Sequence, residues 1–178
     1  MKKSLLGLIL SIGLSGCSTT MPINYVASPS IKGQGDVGVG VFKYTPAIQG
    51  KVKENEFQKA TSAIGTMYMS DHANALLKSS MTKELIAAGF NPTENSSLQI
   101  SGDIQRFLYD WLGFIEVDFY LDVEYTVTKD GKIIYQQVVK THKASPKAIG
   151  GTDSEAVRAA ISSNIGDLLQ ELRSKKII

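Results

Sequence analysis

Two hydrophobic periods alternate along this chain. From Ile115 to Thr128 an apolar side chain falls at every second position: Ile115, Val117, Phe119, Leu121, Val123, Tyr125 and Val127. Glu116, Asp118, Tyr120, Asp122 and Glu124 occupy the positions between them. A period of two over that length predicts a strand with one face buried and the other in water. Lys129-Asp130-Gly131-Lys132 reads as a hairpin turn in which Gly131 supplies a positive φ, and Ile133 to Thr141 as the returning strand. Leu98 to Ile104 alternates as well, with Leu98, Ile100 and Ile104 inward. The inward set then becomes Phe107, Tyr109 and Trp111, which predicts a bulge near Gln105 or Arg106. Asp36 to Tyr44 predicts a first strand with Val37, Val39 and Val41 on one face and Gly38, Gly40 and Phe42 on the other. Its glycines mark a bulge or a closely packed helix.

Two other stretches follow the helical period. Ala73, Leu76, Leu77, Met81, Leu85 and Ala88 recur at steps of three and four, so a helix runs from Ser70 to Ala88. Ser70 or Asp71 caps it. Gly89, Phe90 and Pro92 end it. Val157, Ala160, Ile161, Ile165, Leu168 and Leu172 line a second helix, capped by Asp153 or Ser154 and followed by Arg173, Lys175 and Lys176, which suit its dipole. Thr45 to Met69 is poorly patterned, is broken by Pro46 and Gly50, and holds a short strand within Ile64 to Met69. The order strand, helix, strand, strand, strand, helix predicts an α+β two-layer sandwich: a mainly antiparallel four-stranded sheet with two helices packed on one face (β-α-β-β-β-α). The inward row of the third strand then lies under both helices, and the far face of the sheet is polar and wet.

The N-terminus follows neither period. Lys2 and Lys3 precede an apolar run from Leu5 to Leu14, and Leu14-Ser15-Gly16-Cys17 closes it. The run is too short for a bilayer span, which takes roughly 20 apolar residues. The small residues Ser15 and Gly16 suit a signal-peptidase cut. The sequence resembles the lipobox of bacterial lipoproteins, in which the cysteine is lipidated and becomes the first mature residue. The alternative is an ordinary signal peptide with an incidental cysteine. The chain divides into a lipoprotein signal peptide (1–16), a lipidated N-terminus and flexible Ser/Thr/Pro/Gly-rich tether (17–35) and a single α+β domain (36–178). Ser18, rather than aspartate, follows the cysteine, and by resemblance to enterobacterial sorting rules this implies the outer membrane, with the domain facing the periplasm.

Composition narrows the function classes. Hydrophobic residues make up 43% and charged residues 20%, which is ordinary for a globular domain. The formal net charge is +2, and Lys2 and Lys3 leave with the signal. That near-neutral balance argues against nucleic acid as a partner and against a charged membrane patch as the main anchor. Cys17 is the single cysteine, so an intramolecular disulfide is excluded.

Candidate chemistry is sparse. Neither His72 nor His142 has neighbours at metal-ligand spacing, so no metal and no cofactor is expected. Ile149-Gly150-Gly151-Thr152 echoes a phosphate loop but lacks its lysine and its length; a plain loop before a helix cap explains it. Glu116, Asp118, Asp122 and Glu124 share a strand face. Such a row serves acid–base work or cation binding, or is the solvated face of a strand offset by Lys140, His142 and Lys143. The segment Phe107 to Phe114 holds the only tryptophan and reads as a connection between strands. Tyr109, Trp111 and Phe114 are therefore candidate contacts for a partner or the bilayer surface. The alternative is that Phe107, Tyr109 and Trp111 fold back onto the domain.

The lipobox, the valine-rich strand Val37 to Val41, the charged excursion, the helix ending in Gly89-Phe90, the alternating strand pair and the amphipathic last helix together resemble the YajG-like family of small bacterial lipoproteins. That resemblance implies an outer-membrane lipoprotein without assigned catalytic residues. The order of elements also resembles the plug of the lipopolysaccharide-assembly barrel and the auxiliary lipoproteins of lipid-transport ABC systems, a likeness of fold that transfers no function. The reading is a lipid-anchored, non-enzymatic envelope lipoprotein that binds a protein or envelope-polymer partner. The alternatives are a lipid or glycolipid carrier, which needs an apolar groove between helices and sheet, and an enzyme, which needs convergent polar groups in a cleft.

Overall fold

The computed structural model describes residues 18–63, 65–112, 116–146 and 152–178. At its centre β7 (Glu116–Lys129) runs antiparallel between β6 (Leu98–Leu112) and β8 (Lys132–Pro146). The period-two row is buried as predicted: Val117, Phe119, Leu121, Val123, Tyr125 and Val127 all point into the core. Asp130 and Gly131 take φ of 50° and 76°, the paired positive values of a tight hairpin turn that matches strand twist. The β6–β7 ladder passes from Ile104↔Val123 to Arg106↔Asp122 and skips Gln105. Gln105 is thus the predicted bulge, and it brings both Ile104 and Phe107 inward.

The rest of the sheet corrects the four-stranded, mainly antiparallel expectation. β2 (Asp36–Tyr44) lies parallel beside β6, and β5 (Asn91–Pro92) lies parallel beyond β2. β3 (Gln58–Lys59) pairs parallel with the far half of β6. The result is a six-stranded mixed sheet in the order β5-β2-β6-β7-β8 with β3 on β6. Parallel neighbours need a long crossover connection, and the segment between β2 and β6, which includes α2, supplies one. A register shift between Val39 and Phe42 keeps Val37 and Val39 on the predicted inner face and reverses the faces beyond it. Val37, Phe42 and Tyr44 are buried while Val41 is 64% exposed. A second sheet pairs β1 (Ser18–Met21) with β4 (Thr66–Met69) in parallel. The single turn α1 (Thr45–Ile48) follows β2.

Helices α2 (Ala73–Ala88) and α3 (Asp153–Ser174) supply the second layer. α2 packs on β2, α3 packs on β7 and β8, and the two helices touch. The inward row of β7 is therefore covered mainly by α3, a correction to the expectation that both helices lie over it. Leu77, Met81, Ile161 and Leu168 are fully buried in the same core. At the start of α2 the capping residue is His72, without a side-chain cap, in place of Ser70 or Asp71. At its end Gly89 adopts φ 98°, and the amides of Gly89 and Phe90 donate to Ile86 and Leu85. Thr152 caps α3, one residue earlier than predicted, in a reciprocal box with Glu155. Hydrogen bonds from the Thr152 side chain and then its backbone hold the Glu155 carboxyl below its ordinary range.

The segment from Ser18 to Gly35 is a strap laid over the domain, where the sequence predicts a flexible tether. Met21, Ile23, Tyr25 and Ile31 are buried. Lys83 Nζ donates to the Tyr25 carbonyl at 3.1 Å and Arg158 to that of Ile23 at 3.2 Å. Arg173 donates to the Lys32 carbonyl at 2.6 Å, and the Gly33 amide to Ala88 at 2.8 Å. Among the described residues no helix is long and apolar enough to cross a membrane.

Candidate interaction surfaces

The outer face of β6–β7–β8 carries the acidic row, and the structure pairs most of it. Because Gln105 is the bulged residue, Arg106 faces outward opposite Asp122. Its Nη2 donates to Asp122 Oδ1 at 3.1 Å, and its Nε lies 2.9 Å from Asp122 Oδ2, an ion pair with one hydrogen bond. The same guanidinium lies 5.0 Å from the Tyr120 ring centre. Tyr120 stacks on His142 at 4.5 Å with planes 8° apart, and His142 Nε2 lies 2.5 Å from Asp118 Oδ1. Glu124 accepts from Gln105 at 3.2 Å and from Gln136 at 3.0 Å.

Asp118, His142, Tyr120, Arg106 and Asp122 thus form one continuous run across three strands. Of the three residues expected to offset the row, His142 meets Asp118. Lys140 stands opposite Asp122 in register, but the ion pair goes to Arg106. Lys143 lines a groove on the helix side with Ser28 and Arg158. With Asp122 and Asp118 already engaged, the centre of this face presents flat rings, edges and amides, the chemistry of recognition by stacking and hydrogen bonding.

A second arrangement holds the strap. Glu84 lies buried in α2, and its Oε1 accepts from the Tyr25 hydroxyl, from the Ser28 amide at 3.0 Å and from the Ser162 hydroxyl at 3.2 Å. One carboxylate oxygen therefore joins the strap, α2 and α3. Burial, and then the hydrogen bond to Glu84, push the Tyr25 phenol upward, so it stays a neutral donor. The groove beside it, about 510 Å³, is open and lined by Ser28, Ser30, Lys143, Arg158 and Asp167 among others.

The sequence-predicted contacts fare unequally. Tyr109 is fully buried, and its hydroxyl donates to Gly65 at 2.9 Å. It is corrected as a partner contact, because β6 continues through it and turns its ring into the core, with β3 paired alongside. Trp111 is half-buried against the core at the end of β6. Phe114, Cys17, the signal peptide and Gly150-Gly151 lie outside the described residues. His72 is exposed, 3.0 Å from Glu54. Among the described residues no group of three or more His, Cys, Asp or Glu side chains is placed to hold a metal ion.

Sequence reasoning passed over Glu84 and Asn164, both buried. The signal was present: each is a polar residue in phase with the apolar positions of its helix, Glu84 after Leu77 and Met81, Asn164 after Val157 and Ile161.

No family model matches the chain, and no curated protein matches its sequence. The YajG-like resemblance therefore rests on the sequence features that suggested it. Solved structures do match. Protein XCC0632 from Xanthomonas campestris, of family model DUF330, aligns with a TM-score of 0.59 at 13% identity, over 88% of this chain and 92% of that one. A second structure, described as an uncharacterized protein, aligns with a TM-score of 0.54 at 11% identity, over 86% and 99%. Hypothetical protein CT253 from Chlamydia trachomatis aligns more weakly, with a TM-score of 0.47 at 9% identity, over 79% and 96%. The first two share the fold of this chain. At such identities they carry nothing about its chemistry.

Proposed function

We propose that this chain is a YajG-like envelope lipoprotein. It is anchored through lipid on Cys17 to the outer membrane with its domain in the periplasm, and it binds a protein or envelope-polymer partner rather than catalysing a reaction. The observation that carries the reading is Leu14-Ser15-Gly16-Cys17 at the end of a basic and then apolar run. A single acyl chain anchors marginally and two or more anchor stably, so a lipidated cysteine suffices without a membrane span. The partner surface in this reading is the outer sheet face around Tyr120, His142 and Arg106. Its stacked rings and paired charges favour recognition of peptide or polymer hydroxyls and amides. The carrier alternative needs space between helices and sheet, and Leu77, Met81, Leu121, Ile161 and Leu168 fill that interface; it is set aside.

The anchor is tested with Cys17→Ser, which leaves the protein unprocessed or soluble. A serine variant that still pellets with outer membranes after a high-salt wash rules the anchor out. The partner surface is tested by photo-crosslinking in living cells from Gln136 or Lys140, both exposed on β8. A discrete adduct from these positions and none from Val41 supports the outer face; equal labelling from all three removes it.

A further inference from the structure

The start of the strap constrains how the domain sits on its membrane. β1 begins at Ser18, the residue after Cys17, and is paired from its first residue, Ser18↔Thr66, to its last, Met21↔Met69. Consecutive Cα atoms lie about 3.8 Å apart, so no slack exists between a lipid on Cys17 and the folded domain. Several elements converge at that point. Gly65, beside Thr66, accepts from the Tyr109 hydroxyl at 2.9 Å and from Lys59 Nζ at 3.4 Å. Ser62 donates to Asp110 at 2.7 Å. Thr19 and Thr20 share a groove with Thr152 and Asp153 at the start of α3. β6 ends nearby at Leu112, with Trp111 half-buried beside it. The β7–β8 turn and the C-terminal end of α3 occupy the opposite pole.

We propose that the pole carrying Ser18, Thr66, Trp111 and Thr152 is seated on the lipid headgroup layer, with the sheet strands rising from it and the Gly131 turn farthest away. This rests on the lipoprotein reading above. The chemistry fits a bilayer interface: tryptophan, with an apolar ring and one N–H, prefers the headgroup level. Attraction between charges is not what seats the pole, since Asp110 and Glu116 lie there with Lys59. The link of zero length does so, and the contact is therefore indifferent to salt. β7, 14 residues long, holds the far turn roughly 45 Å from the surface at about 3.3 Å per residue.

Trp111 is the only tryptophan, so the native chain is its own probe. Lipidated full-length protein is reconstituted into vesicles of phosphatidylethanolamine and phosphatidylglycerol carrying nitroxide at the headgroup level. Trp111 then loses most of its emission, and the loss persists in high salt. The double variant Trp111→Phe/Ile133→Trp moves the probe to an exposed position at the far turn, and its emission is unchanged. Equal quenching of both proteins means that the domain lies on its side, and quenching of neither means that the pole stands off; each overturns the proposal. Mass spectrometry of the same sample separates the two readings. A lipid on Cys17 with Trp111 unquenched leaves the lipoprotein reading standing and sinks only the seating, whereas a bare N-terminus sinks both.

Discussion

Asn164 binds Tyr125 through a 2.8 Å hydrogen bond from the phenol to its side-chain oxygen, and does so in the middle of the core. The Asn164 amide nitrogen donates in turn to the Leu121 carbonyl at 3.2 Å, the Val139 carbonyl at 3.0 Å and the Thr141 hydroxyl at 3.0 Å. One side chain of α3 thereby fixes that helix to both β7 and β8. Apolar contacts alone let a helix slide along a sheet; a fully satisfied buried polar group selects one position.

Asn164→Ala leaves the Tyr125 hydroxyl and two sheet carbonyls without this partner. Unsatisfied buried groups cost about 1–3 kcal/mol each at most, and the variant is expected to lose stability toward the upper end of that span. Tyr125→Phe removes a donor while leaving Asn164 three acceptors, and costs less. Urea melts of the domain lacking residues before Ser18, combined in a double-mutant cycle, measure both. An Asn164→Ala midpoint equal to wild type discards the docking role.

Leu121→Ala opens a cavity beneath α3 and costs about 2–5 kcal/mol. Its neighbour Asp122 faces outward and is held by Arg106, which is partly exposed, so Asp122→Ala costs about 0.2–1 kcal/mol. Thermal melts of the two variants compare the faces of β7 directly. Similar losses for both contradict the alternation.

Glu84→Ala takes away the acceptor shared by Tyr25, Ser28 and Ser162. The strap is expected to loosen around Tyr25 and Ser28 while the sheet and the β1–β4 pairing remain, because nothing else there replaces the shared acceptor: the hydrogen bonds from Lys83, Arg158 and Arg173 and the buried Ile23 and Ile31 hold the segment on either side. Limited proteolysis reads this as rapid cutting between Val26 and Gln34 in the variant and slow cutting in wild type. Uniform resistance in both proteins would show that the carboxylate does not hold the strap.

Burial pushes the phenols of Tyr25, Tyr44, Tyr109, Tyr125 and Tyr135 upward. An unfolded tyrosine loses its proton near pH 10. Above that pH the folded chain holds protons that the unfolded chain has released, so the stabilisation is complete below about pH 10 and is lost as pH rises further. Denaturant midpoints are expected to be level from neutral pH to about 9 and then to fall steeply. Tyr125→Phe, which carries no ionisable proton there, shallows the fall. A midpoint that stays level beyond about pH 11 contradicts this account.

What the sequence displayed was local. β7 announced itself because every second residue is apolar, the hairpin because Asp130-Gly131 admits positive φ, and the end of α2 because Gly89 precedes Phe90. The bulge at Gln105 was legible because the inward set changes parity across it. Pairing between distant strands leaves no such mark. Nothing in Asp36 to Tyr44 says that its neighbour is β6 or that it runs parallel, and the break in register at Val41 reverses half the predicted face.

The strap is hidden for another reason. Met21, Ile23 and Tyr25 do repeat at every second position, but the Ser, Thr and Pro around them give the segment the composition of a linker. At the candidate surface the carboxylates were visible and Arg106 was not. Its outward aim depends on which single residue the bulge leaves unpaired. A run of aromatics beside Gly113 suggests a turn and places Tyr109 in a connection; β6 instead carries on to Leu112, pairing with β7 throughout.

The strap also sets an order of events. Its ties join residues far apart in the chain: Tyr25 to Glu84 across 59 positions, Ile23 to Arg158 across 135 and Lys32 to Arg173 across 141. Contacts of such separation close late in folding, since the loop they complete is costly until everything between is in place. The strap is therefore the last part to be seated, after α3 has docked. A nascent chain cut short before Asp153 can assemble β6 and β7 and still leave its beginning loose, so the fastening of the strap reports that the whole domain has been made.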